Sequence, residues 1–185
     1  MQELPAFTDE GVLPVGDYEL TLAELAESRL VSGEGVGSVG WDADWRAVLV
    51  ERLGLLAAQL SQVGIAEIFV DGSFVDDKDH PNDIDGYFVC ERDYFLSGML
   101  QQDLNLIDPH KCWTWDPADR KRYRGYPKWQ LPMWHFYRVE LYPHVPGLLT
   151  GIQDEFGNDL EFPAAFRRSR RDGKQRGIVK LGGMS

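Results

Sequence analysis

Apolar residues recur at a helical interval through residues 42–62. Trp45, Leu49, Leu53, Leu56, Leu60 and Val63 are spaced by 4, 4, 3, 4 and 3 residues, which aligns them on one face of a long helix. Gly64 follows where a helix C-cap is wanted. Two apolar runs come next, over 66–71 and 84–90, with the length and content of central strands. A further helix is expected over 93–105, with Phe95, Met99, Leu100 and Leu104 or Leu106 turned inward and a stop before Asp108-Pro109. Partial alternation over 134–142 predicts a third strand.

Upstream of the long helix, Thr21-Leu22-Ala23-Glu24 has the form of a capping box and predicts a short helix to about Leu30. The first twenty residues carry Pro5, Gly11, Pro14 and Gly16 and read as an extended arm, its apolar residues laid against the core. Residues 109–133 are rich in Trp, Tyr, Pro and basic side chains without periodicity, and read as a long loop or lid. Turn signals at Pro146-Gly147 and Phe156-Gly157-Asn158 suggest a short hairpin or helix within 143–166. The C-terminal stretch, basic at first and then Ile178-Val179-Lys180-Leu181, reads as a turn and short strand or as a mobile tail.

These elements fit a single α/β (α+β) domain over residues 1–185, with an N-terminal arm and short helix over 1–40 and a basic tail over 167–185. A small mixed sheet is expected, with the three strands adjacent and helices packed on one side. No apolar run has the roughly 18 residues of a membrane span. The N-terminus lacks the pattern of a signal peptide, and Cys90 and Cys112 form no redox or disulfide pattern. A cytoplasmic protein without a membrane partner is the expectation. His110, Cys112, His135 and His144 fit no familiar zinc spacing.

The net charge of −11 is unevenly spread. Residues 1–93 hold 5 basic against 20 acidic residues, whereas residues 94–185 hold 14 against 10. The basic residues cluster at Arg120, Lys121, Arg122, Arg124 and Lys128, and again at Arg167, Arg168, Arg170, Arg171, Lys174 and Arg176. An acidic half argues against extended duplex DNA, which rests on many phosphate contacts. The clusters leave room for a nucleotide's phosphates or an RNA end.

The strongest chemical pattern lies in residues 68–89: an apolar run ending in Gly72-Ser73, an acidic turn, and a second apolar run carrying Asp83-Ile84-Asp85. Carboxylates two apart on a strand project from one face. Held that close, they repel unless a cation or proton lies between them. Glu140 is a third acid, isolated in an apolar strand, where a charge needs a reason.

Gly72-Ser73, Asp83-Ile84-Asp85 and Glu140, in that order, resemble the signature of the DNA polymerase β-like nucleotidyltransferase superfamily. The arm from Phe7 to Gly16 and the terminal Gly177-Ile178-Val179-Lys180 are also similar to a small, uncharacterised family of bacterial and phage nucleotidyltransferase-like proteins. The resemblance implies a nucleotidyltransferase fold and Mg²⁺-dependent transfer of an NMP from an NTP to a hydroxyl acceptor, a protein or tRNA end ahead of a small molecule. Asp83, Asp85 and Glu140 would be the catalytic carboxylates and hold two Mg²⁺ ions. Gly72 and Ser73 would cradle the phosphates, and Lys128 and Arg124 would contact the triphosphate. ATP is among the expected nucleotides, and the arm and terminal strand leave room for a homo-oligomer. The alternative is a non-catalytic module of the same fold kept for partner recognition, as in an antitoxin or a phage regulatory protein.

Overall fold

Asp42 begins the long helix by accepting a hydrogen bond from the Trp45 N–H at 3.0 Å, satisfying one of the donors that a helix start leaves open. In the computed structural model, which describes residues 3–168 and 173–183, this helix is α3 (Ala43–Gln62). Two short helices precede it, α1 (Leu22–Glu27) and α2 (Arg29–Ser32), and the capping box at Thr21 and Glu24 is formed in both directions. The expected single helix is broken at Ser28, whose backbone is extended.

Five strands make one mixed sheet: β1 (Asp17–Leu20), β2 (Ile68–Asp71), β3 (Ile84–Val89), β4 (Val139–His144) and β7 (Ile178–Leu181), in the order β1-β7-β2-β3-β4. β3 runs antiparallel to β2 and parallel to β4. The C-terminal segment is therefore a buried strand inside the sheet, parallel to β1 and antiparallel to β2. The N-terminal arm, too, ends as a sheet strand. Two further strands, β5 (Ile152–Gln153) and β6 (Asp159–Leu160), form a separate hairpin, and α7 (Phe162–Phe166) follows it.

One sheet face carries Ile68, Val70, Ile84, Phe88, Val139, Leu141, Val179 and Leu181 into the main core, with Leu49, Leu53, Leu56 and Leu60 of α3. The opposite face bears a smaller cluster of Phe69, Tyr87, Tyr142 and Ile178, against which α7 packs Phe162 and Phe166. Helices thus lie on both sides, contrary to the one-sided expectation. The helix expected over 93–105 is divided into α4 (Arg92–Leu96) and α5 (Met99–Ile107), because Gly98 sits in the left-handed region at φ 78°. That break turns Met99 outward, 55% exposed, and Leu106 is exposed as well, leaving Leu100 and Leu104 to face the core.

The strand expected over 134–142 is corrected in its first half. Pro132, preset for the first position of a helix, opens α6 (Pro132–Tyr137), and the strand begins only at Val139. Arg138 makes the corner with φ 56°. Among the described residues no helix is long and apolar enough to cross a membrane.

Candidate functional site

Strand register brings the acids together. Asp71 at the end of β2 is paired with Asp85 of β3, and Asp85 is paired with Glu140 of β4. Residues directly opposite share a sheet face, so three strands place a row of carboxylates on the face away from α3. Asp83 precedes β3 by one residue and accepts a 2.6 Å hydrogen bond from Trp134 Nε1. Glu140 is buried: its Oε1 accepts from the Leu131 N–H at 2.8 Å, its Oε2 accepts from the Tyr142 hydroxyl, and Arg120 Nη1 lies 3.7 Å from Oε1.

Beside this row the chain turns at Gly72–Val75, a single turn of 3₁₀ helix rather than a longer one. Gly72 has φ 80°, and a Cβ there would come within 2.9 Å of Asp85 Oδ2 and 3.1 Å of Asp85 Cβ. Only glycine satisfies both the backbone angle and the close approach. Ser73 follows, half-buried, at the end of the strand as the sequence pattern requires.

Two buried arginines, neither singled out as a site residue by the sequence pattern, hold this turn and the loop after it. Arg176, just ahead of β7, donates from Nη1 to the Gly72 carbonyl at 3.0 Å and to Asp76 Oδ1 and Oδ2 at 3.0 and 2.9 Å. Its Nε faces Asp71 Oδ1 at 3.4 Å without hydrogen-bond alignment. Burial pushes the Asp71 carboxyl up to about 7, against the opposing pull of Arg176. Arg46, on α3, donates to four carbonyls: Leu30 and Phe74 from Nη1 at 2.6 and 2.8 Å, Asp76 and Lys78 from Nη2 at 3.0 and 2.6 Å. Its guanidinium also stacks 3.8 Å from the Trp41 ring centre. Burial lowers its pKa to about 10 despite nearby Asp76, Asp79 and Asp77. A signal for Arg46 existed: it sits 3, 4 and 7 residues before Leu49, Val50 and Leu53, a charge within the apolar stripe.

A cavity of about 670 Å³ opens at the turn, with Gly72, Ser73, Asp71, Asp85, Lys128 and Arg176 in its wall. Lys78 and Arg168 add positive charge, and Glu10, Asp76 and Asp77 add negative charge. Of the two cations expected at a triphosphate, Lys128 lines the cavity, whereas Arg124 is exposed four residues earlier on the same loop and does not. Asp83 and Glu140 lie outside the cavity lining, next to Trp134 and Arg120. In the second basic cluster, Arg167 pairs with Asp17 and Arg168 with Glu155, while Arg170 and Arg171 lie outside the described residues.

Residues 109–133 divide in two. Trp113 is fully buried and Trp115 donates to the Leu141 carbonyl at 2.8 Å, so the first part is core. The second part stays outside. Cys112 is buried, and His110 stacks on Phe136.

Among the described residues no three His, Cys, Asp or Glu side chains stand together as a ready metal cage. Magnesium is commonly held by one or two carboxylates, with substrate phosphates and water completing the shell. Asp83 and Asp85 offer that donor chemistry. Burial raises the Asp83 carboxyl above its ordinary range, the Trp134 hydrogen bond opposes the rise and the Glu140 charge adds to it. A divalent cation at Asp83 would offset both its burial and the Glu140 charge. Glu140 is already engaged by protein donors.

Residues 5–182 match one family model, described as a family of unknown function (DUF6932). No curated protein and no solved structure matches the chain.

Proposed function

We propose that the chain, which belongs to this family, is a nucleotidyltransferase that moves an NMP from an NTP to a hydroxyl acceptor. The observation that carries the reading is the register of Asp85 with Glu140 on one sheet face, with the Gly72-Ser73 turn packed directly against Asp85. The strand–turn–strand order and the antiparallel and parallel pairings support a nucleotidyltransferase fold.

In this reading Ser73 offers its hydroxyl to the phosphates, and the backbone approaches them closely at Gly72. Lys128 and Lys78 neutralise the charge of the triphosphate in the cavity. The acceptor oxygen forms a bond to the α-phosphorus as the bond to the β-phosphate oxygen breaks, and pyrophosphate leaves. The acceptor hydroxyl gives its proton to a carboxylate of the row. Asp83 and Asp85 would hold Mg²⁺, which would supply charge neutralisation at the phosphates. Trp134 fixes the Asp83 carboxylate through its indole N–H, and Arg46 and Arg176 fix the loop between Ser73 and Asp83.

Glu140 favours a second reading, a non-catalytic module of the same fold, because both its oxygens already accept protein hydrogen bonds. Thermal unfolding with each of the four NTPs separates the two. A transferase is stabilised by at least one NTP only when Mg²⁺ is present, and Asp83→Asn/Asp85→Asn loses the effect. No stabilisation by any NTP, with or without metal, discards the transferase.

A further inference from the structure

The loop 120–130 is rooted at the acid row, and Tyr123 and Tyr126 pack it on Trp134. Arg120 contacts Glu140 and Tyr142 at one stem, and the Leu131 N–H binds Glu140 just past the other. Between the stems, Lys121 and Gln130 exchange two backbone hydrogen bonds, Lys121 N–H to the Gln130 carbonyl at 2.8 Å and Gln130 N–H to the Lys121 carbonyl at 2.9 Å. The loop is therefore a closed, shaped element. The loop carries Lys121, Arg122, Arg124 and Lys128, all exposed. Among the described residues none of these four has a carboxylate within ion-pairing distance, on a chain with 30 acidic residues. Two aromatic rings share the loop: Tyr123 is 41% and Trp129 52% exposed. Tyr123 is taken up by Arg138, 4.1 Å from its ring centre, and by edge contacts to Tyr126 and Trp134. Among the described residues Trp129 has only the Arg122 guanidinium near its ring, at 5.5 Å.

We propose that this loop docks a single-stranded RNA end and presents its terminal hydroxyl to the acid row, which names the acceptor class for the transferase read above and rests on that reading. Unpaired cations interleaved with an open indole match the alternation of phosphates and bases along a single strand. An acidic peptide would use the cations and leave the ring without a partner. Duplex binding would need many more phosphate contacts than four side chains supply, against a net charge of −11. The loop also has the right neighbours: Lys128 at one end lines the cavity at Gly72-Ser73, and Arg120 at the other touches Glu140.

The test uses the full chain and a fluorescein-labelled RNA of about 12 nucleotides and mixed sequence, within the range one such site covers. Anisotropy is followed from low to physiological salt. Saturable binding is expected, with log K falling against log salt at a slope of about −2 to −3 for three or four phosphates. The Lys121→Ala/Arg122→Ala/Arg124→Ala variant binds at least about 10-fold more weakly, with a shallower slope. Trp129→Ala loses at least about 5-fold with the slope unchanged. These side chains are exposed, so both variants keep the thermal midpoint of the parent. No saturable binding, or equal binding by parent and variants, overturns the proposal. So does incubation with labelled NTP, Mg²⁺ and a cell lysate if the label enters protein and not RNA. The thermal shift with NTP and Mg²⁺ is read in parallel on every variant. If it persists while RNA fails to bind, the docking surface alone is wrong. If it is absent everywhere while RNA binds through the loop, the transferase reading is wrong and the acceptor assignment falls with it.

Discussion

Arg46 and Arg176 are both buried, and both hold the loop that leads from Gly72 toward Asp83, yet they do so with opposite chemistry. The hydrogen bonds of Arg46 go to neutral carbonyls, four of them, with an aromatic ring under the guanidinium. Arg176 meets the carboxylates of Asp71 and Asp76 as well as one carbonyl. The first arrangement fixes the path of the backbone and leaves the charge to nearby carboxylates to which it makes no hydrogen bond. The second neutralises charge next to the acid row, where unpaired carboxylates would repel one another. Shape and charge at this site are thus set by different residues from different ends of the chain.

The largest effect is expected from Arg46→Met, which leaves four carbonyls, one in α2 and three in residues 74–78, without their donor. A loss of about 4 kcal/mol follows from hydrogen bonds to a charged group, or a fall in Tm of about 8–16 °C for a domain of this size. Because carbonyls do not titrate, chemical denaturation at pH 5 and at pH 8 should give the same loss. A loss that changes between those conditions would contradict the division of roles.

Arg176→Met comes next, at about 3 kcal/mol, the usual cost of breaking one side of a buried ion pair. Here the loss should be larger at pH 8 than at pH 5. Asp71 has a folded-state pKa above its unfolded value, so the native state binds its proton more tightly. Its ionisation penalises folding as pH rises through about 7, and the penalty is relieved as pH falls toward the unfolded value. Removing Arg176 deepens that penalty on the alkaline side.

The smallest effect isolates the same group. Parent stability should gain a component as pH falls from 7.5 to 5.5, and Asp71→Asn should remove it, flattening the profile by up to about 1.4 kcal/mol per pH unit near the titration. An unchanged profile would assign the pH dependence to other carboxyls, Asp83 first among them.

Much of the frame was readable because periodic burial writes itself into a sequence. Leu49, Leu53, Leu56 and Leu60 named the buried face of α3, and Asp83-Ile84-Asp85 with Glu140 named two of the strands that form the acid row. Glu140 was visible since a charge between apolar neighbours has few cheap explanations. The place of Arg46 in the apolar stripe signalled its burial but not its partners, which are backbone carbonyls 16 to 32 residues away. The place of Ile178-Val179-Lys180-Leu181 was hidden for the same reason: a four-residue strand gives its length and not its neighbours. At 134–138 the partial alternation misled, since a proline at the first helical position and a left-handed Arg138 outweigh it.

The position of β7 between β1 and β2 bears on how the polypeptide is made. Among the described residues β1 has no sheet partner except β7, and β2 needs β7 along one edge. A ribosome must therefore deliver Leu181 before the first strand can pair at all, and until then β2 offers an open edge to any neighbouring chain. Residues 17–20 and 178–181 close the longest loop in the sheet, the slow, high-contact-order step of assembly. Nascent chains stalled anywhere between Val89 and Gly177 expose that edge for as long as they wait, and the sheet closes only once residues 178–181 have emerged.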